Sequence, residues 1–308
     1  MTETASIRGT LEEKRQRYWQ VYMMVAPMVF AIICAVAAMK SGDGHFPWAI
    51  VAFLTVAEAL IGFQITNALY RKRTKAVFLE RIGAALGLAY RKGGVFALDD
   101  IKAHLLLPQA DRAHVEDGFS GTVKGMPLAF EEVMLFERYR DETVRDRSGR
   151  PQEQERAIFW GLVVRIGIGK TLDHHTIVMP RSRMGTKMMT MFSRYGRVNL
   201  VSPSFEAKFD TVATDQVEAR YVLDPAFIER FMEADALAET KWLSASFREK
   251  EIVLAFQRFK PMFEIGALWR PLTEKNLAAV LAELATILKM IESLRLNPHT
   301  GLGAALPE

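Results

Sequence analysis

Tyr18-Trp-Gln-Val-Tyr-Met-Met-Val-Ala-Pro-Met-Val-Phe-Ala-Ile-Ile-Cys-Ala-Val-Ala-Ala-Met39 is 22 residues long and carries no formal charge. At a rise of about 1.5 Å per residue, a helix of that length crosses a hydrocarbon core of ~30 Å. A second such stretch follows closely. Phe46 to Leu69 is 24 residues with one charge, Glu58. Lys40-Ser-Gly-Asp-Gly-His45 between them is polar and carries two glycines, the composition of a turn. The expectation is a transmembrane helical hairpin over 18–69, with spans at about 18–39 and 46–69. Ala35-Val36-Ala37 would suit signal-peptide cleavage, but the apolar run exceeds the usual hydrophobic region and another span follows. Ala31-Ile32-Ile33 puts no small residue directly before Cys34, so Cys34 reads as a small apolar residue inside the span rather than a lipidation site.

The flanks set an expected orientation. Arg8, Lys14, Arg15 and Arg17 precede the first span; Arg71, Lys72, Arg73 and Lys75 follow the second; the connection holds Lys40 alone. Positive residues favour the cytoplasmic side, so both termini are expected there, with the protein in a bacterial inner membrane. Residues 1–17 are then a basic cytosolic tail, 70–110 a juxtamembrane helical connector and 111–308 a cytosolic domain. Tyr18, Trp19 and Trp48 lie near span ends, where amphipathic rings prefer the interface. Ala52, Thr55, Ala59, Gly62 and Thr66 form a stripe of small residues on the second span, suited to close packing with the first span or with another copy. Glu58 sits beside that stripe. An ionisable residue at mid-span is a candidate for a partner contact or a proton-linked role, or a protonated packing residue.

Composition narrows the rest. The 308 residues include one cysteine, 40 Lys+Arg against 36 Asp+Glu, and 50% hydrophobic residues. A chain this apolar is not disordered, and one cysteine excludes a disulfide scaffold or a cysteine-rich metal site. The net charge of +4 lies in residues 1–75; from 76 onward the charges balance. That argues against a nucleic-acid partner.

The cytosolic part reads as α+β: an antiparallel sheet with flanking helices. Residues 76–92 continue as a helix that Gly93-Gly94 stops, and Asp99-Asp100 open a short helix ending before Pro108. Residues 118–125, 127–139, 157–166, 176–179 and 198–201 read as strands, and 140–156 as an exposed loop. Ala157–Ile166 and Thr176–Met179 make a hairpin, as do Trp242–Arg248 and Glu251–Gln257. Asp224-Pro225 starts a helix to about Leu237. Thr273 caps a last helix, with Leu277, Leu281, Leu284, Leu288 and Ile291 on one face, ended by Asn297-Pro298.

Few motifs point to chemistry. Gly167-Ile-Gly-Lys-Thr171 resembles the end of a phosphate-binding loop, but Val164 occupies the position of its first glycine. His174 and His175 point to opposite faces of a strand and cannot share a metal. No catalytic signature is present, and no cofactor is expected. The local anomaly is 179–197, which holds Arg181, Arg183, Lys187, Arg194 and Arg197, five methionines and no acid. Such a segment suits anionic lipid or a protein partner, or is a solvated loop.

Phe205, Phe209, Asp215, Glu218-Ala-Arg-Tyr221, Leu223, Pro225, Phe227 and Glu229-Arg230 carry a resemblance. With the early hairpin, Phe159-Trp-Gly-Leu162 and Ile291-x2-Leu294-x-Leu296-Asn297, they resemble the bacterial membrane family known as domain of unknown function 3137. The resemblance implies no activity and transfers no catalytic residue. Within it, Asp215, Glu218 and Arg220 are expected as an ion pair fixing a corner of the fold, or as a binding site. The leading functional expectation is a two-span membrane protein whose cytosolic domain binds or scaffolds a protein, another copy of itself or anionic lipid. A membrane-surface enzyme and an accessory transport subunit using Glu58 are the alternatives.

Overall fold

The computed structural model describes residues 2–40, 48–123, 125–145, 151–181, 194–238, 242–258 and 261–293. Two compact units divide the chain. Met1–Arg81 with Phe263–Glu283 form one, and Ile82–Met262 with the chain from Leu284 form the other.

The first unit is built on two long helices, α1 (Thr2–Lys40) and α2 (Trp48–Ala85). Both are long and apolar enough to cross a membrane. Most of their apolar side chains face outward: Met24 is 63% exposed, Phe53 73% and Leu60 61%. A soluble protein buries such side chains, so these helices need an apolar environment. The small-residue stripe meets α1, where the Tyr22 hydroxyl donates to the Ala59 carbonyl at 3.0 Å. Thr55 and Thr66 turn their hydroxyls back onto the Val51 and Gly62 carbonyls of their own helix. Those bonds satisfy polar groups that an apolar medium would leave unpaired.

The second unit is an antiparallel seven-stranded sheet with short helices, an α+β architecture. Its strands are β1 (Leu88–Lys92), β2 (Arg112–Val123), β3 (Met126–Arg145), β4 (Pro151–Pro180), β5 (Gly196–Arg197), β6 (Phe209–Ala213) and β7 (Trp242–Gln257). The order is β1-β2-β3-β4-β6-β5, with β7 also paired to β4. Helix α3 (Leu98–Lys102) precedes β2, and α4 (Pro203–Lys208) precedes β6. Helices α5 (Gln216–Val222) and α6 (Pro225–Ala238) precede β7, and α7 (Glu274–Ser293) follows. One face of the sheet packs Val133, Leu135, Phe159, Val163, Val253 and Ala255 on Ile101 and Leu106. On the other face Phe119 stacks on Phe130 at 5.0 Å, and Phe247 meets Phe227 of α6 at 5.3 Å. Alternation along the strands sorts the two sets.

Several elements differ from the sequence reading. The helix from the second span ends at Ala85, and Gly87, at φ +72°, turns the chain into β1. Only glycine adopts that backbone without strain, whereas Gly93-Gly94 lies beyond the strand. The expected loop 140–156 is instead strand on both sides: β3 runs to Arg145 and β4 starts at Pro151. The two pieces expected as a 157–179 hairpin are one strand, β4, irregular between Gly167 and Thr176. Likewise 242–257 is one strand, kinked where Glu249 takes φ +55°. Both halves of β7 pair with β4, so bulges replace the expected turns. The short strand expected at 198–201 lies at Gly196–Arg197. On α7 the buried line is Leu277, Val280, Leu284, Ile287 and Ile291, with Leu281 and Leu288 at its edge. The expected stop at Asn297-Pro298 lies outside the described residues.

Candidate functional site

A buried polar chain runs between α3, β4 and β7. Ser246 Oγ lies 2.9 Å from His104 Nδ1 and 2.8 Å from His175 Nε2. Tyr195 Oη lies 2.7 Å from His175 Nδ1. Ser246 is wholly buried, and His104 and His175 are nearly so. Strand geometry explains the meeting. Ser246 pairs with Ile177, so Ser246 rises on the same face as His175, two residues away. His104 comes from the turn after α3. A serine hydroxyl has one proton to give, so it donates to one imidazole and accepts from the other.

Electrostatics hold both rings neutral. Burial pulls the His175 imidazole down to about 4, with His104 and Arg248 adding to the effect. Burial also lowers the His104 pKa, against the pull of Glu251 at 3.5 Å from Nε2. Glu251 is itself paired with Arg165, which lies 3.6 Å from Asp100. Serine, histidine and glutamate thus stand in the order of a nucleophile relay, but the hydroxyl is sealed in the core. This group was not legible in the sequence beyond His175, because its members are far apart in the chain.

A buried acid, Glu131 on β3, accepts from the backbone N–H of Val95 at 2.7 Å and of Phe96 at 3.3 Å. Burial raises its pKa, and those two N–H bonds oppose the rise. Glu116, Asp117 and Glu132 bring carboxylate oxygens within 4.8 Å of one another, a spacing that suits a cation. Asp117 accepts from Tyr90 at 2.5 Å, and Glu132 from Trp160 Nε1 at 2.8 Å.

The basic segment resolves in part. Arg181 and Arg197 converge on Asp210, at 3.5 and 2.7 Å. Asp210 is buried in β6 opposite Met179. Arg194 is exposed. Arg183, Lys187 and the methionines from Met184 to Met191 lie outside the described residues. The corner at 215–220 is arranged differently from the expected ion pair. Asp215 caps α5 by accepting from the Val217 and Glu218 N–H groups, which hold its carboxyl below the usual range. Glu218 accepts from Asp173 and His174 N–H. Arg220 is exposed and reaches the Asn199 carbonyl and Gln216. Among the described residues it meets no carboxylate, because both acids serve backbone donors. Glu58 is half-buried in α2, with Oε1 about 3.7 Å from the place a Cβ on Gly62 would take.

The sheet unit also has an open cavity of about 540 Å³ between the α3–β2 connection and β3. Leu105, Leu107, Pro108 and Leu135 are among its lining, with Lys102 and Arg112 also on it. Lys102 is paired with Asp99, and Arg112 with Glu155.

No curated protein matches the chain. Among solved structures it is similar to the crystal structure of the mycobacterial trehalose monomycolate transport factor A, TtfA, at 10% identity and a TM-score of 0.42, over 77% of this chain and 99% of that one. Residues 157–296 match the family described as "Protein of unknown function (DUF3137)". That match covers β4 from Ala157, the short helices, β7 and α7, and it includes the Glu-Ala-Arg-Tyr segment, so the stretch from 157 to 296 is similar to the DUF3137 family.

Proposed function

We propose that the chain is a two-span inner-membrane protein with both termini in the cytoplasm, and that its sheet unit is a tethered binding or scaffold module. The observation that carries the reading is the outward-facing apolar surface of α1 and α2. Basic residues flank the same helices at 8–17 and 71–75 and are scarce between them. The module's binding element is the ribbon made by the far halves of β3 and β4. Among the described residues, these strands pair only with each other beyond Phe136 and Ala157. A two-stranded ribbon with open edges offers backbone donors and acceptors to a partner strand. Its balanced charges suit a protein partner or a second copy better than nucleic acid. Arg194, and Arg183 and Lys187 with it, are the residues proposed to face anionic lipid; Glu58 is proposed to pack within the hairpin.

Two measurements test this. A cysteine introduced by Gly44→Cys in a Cys34→Ala background should react with an impermeant thiol reagent in intact cells, while Ser148→Cys should react only after lysis. The reverse pattern overturns the orientation. A photo-crosslinker replacing Tyr139 should capture a discrete protein or a second copy. Capture equal to that from an exposed control at Val217 removes the ribbon as the binding element.

A further inference from the structure

We infer that residues 264–272 form a membrane-interface loop, with Trp269 inserted among lipid headgroups as a third contact beside the two helices. This rests on the two-span reading above. Ala267 to Arg270 is a tight turn, closed by the Arg270 N–H donating to the Ala267 carbonyl at 3.0 Å. The turn sends its two central side chains opposite ways. Leu268 is wholly buried, whereas Trp269 is 53% exposed.

The exposed indole is not isolated. Its ring lies 5.7 Å from Phe63, which lies 6.3 Å from Trp19 and 5.8 Å from Tyr22. Phe63 stands six residues inside the end of the second apolar stretch, roughly 9 Å along the helix. Trp269 therefore sits within about two helical turns of the level where the helix surface changes from apolar to basic. Trp and Tyr collect at that depth because the ring is apolar and the N–H or O–H is not. Arg270 beside it is exposed and long enough to reach phosphate.

The backbone of the loop is prepared for such a place. Irregular chain near hydrocarbon persists only where its polar groups are satisfied from within the protein. The Leu268 N–H donates to Asn67 Oδ1 at 2.9 Å, and its carbonyl accepts from Arg15 Nη1 at 3.0 Å. The Leu272 N–H donates to Glu12 Oε2 at 3.3 Å, and Pro271 has no N–H to satisfy. Glu264 at the loop's start pairs with Arg71 and Lys75, two of the cations expected at the membrane surface.

The test uses the full chain in vesicles of phosphatidylcholine and phosphatidylglycerol. Nitroxide labels are placed by Trp269→Cys, Phe53→Cys and Val217→Cys, each in the Cys34→Ala background, and read for collision with oxygen and with a water-soluble nickel chelate. The expected result is a label at position 269 between the other two, with position 53 oxygen-rich and position 217 nickel-rich. A label at 269 that matches 217, while 53 reads as hydrocarbon, overturns the loop but leaves the spans. Nickel-rich labels at both 269 and 53 overturn the two-span reading and the loop with it. A second variant guards against local misfolding. Trp269→Phe keeps the ring contact with Phe63 and should lower quenching by headgroup-region brominated lipid by about a third, since Trp19 and Trp48 also sit at span ends. Unchanged quenching overturns the inference.

Discussion

The hydroxyl of Ser246 is tightly constrained, since two imidazoles depend on it. Ser246→Ala removes it without changing shape and leaves a nitrogen on each ring without its partner. The expected loss is about 1–3 kcal/mol, the usual range for a buried group stranded this way. The same rings give stability a pH dependence of known sign. His175 is held near 4 and His104 is also lowered, against an ordinary value of 6.5. Between those values the unfolded chain binds more protons than the folded one. Stability is therefore complete above about pH 7 and falls as the pH drops toward 4, by up to ~1.4 kcal/mol per pH unit for His175, with His104 acting in the same direction. The urea midpoint of the full chain in detergent, compared at pH 7.5 and 5, measures this. A midpoint that rises on acidification removes the neutral-imidazole account. His175→Gln, which keeps hydrogen-bonding capacity but does not titrate, should flatten the slope.

Among the elements, the ribbon beyond Phe136 and Ala157 stands apart from the core. Its cross-strand contacts are polar: Arg156 with Glu137, Glu155 with Arg138, and Tyr139 with Gln154 at 3.0 Å. Exposed pairs like these add little to stability. Replacing 137–156 by Asn-Gly, a turn that closes two-residue hairpins, should shift the melting temperature by no more than about 4 °C, near 1 kcal/mol for a domain this size. A larger loss in a thermal melt assigns the ribbon a folding role. This element also shows what the sequence conceals. Arg140 to Arg156 has loop composition, yet 140–145 and 151–156 are strand, because a ribbon exposed on both faces needs no apolar alternation. The hairpin and the α6 cap were legible, since each is written in contiguous residues. The one-piece β4 and β7 depend on pairing partners far along the chain. So does the close approach at Gly161, where a Cβ would fall 1.8 Å from the Phe256 carbonyl oxygen.

Across the whole molecule, the chain returns after β7 to complete the unit it began with. Phe263–Glu283 belongs with the first 81 residues. Asn67 makes this connection across 201 positions through the Leu268 N–H. A buried asparagine in an apolar helix is unfavourable unless its amide is used. Here its carbonyl oxygen holds the returning loop, and this role follows from residues that no local reading would place beside it. Asn67→Ala should strand that N–H at a loss of about 1–3 kcal/mol confined to the first unit. Hydrogen exchange on the full chain in detergent reads it. Amides from 264 to 272 should exchange faster, while those of β3 and β4 keep their protection, because the sheet has its own core. Faster exchange throughout both units would mean that the two unfold as one cooperative body. Unchanged exchange at 264–272 would mean that Asn67 does not hold the loop, and that the ion pairs of Glu264 and the bond from Arg15 suffice.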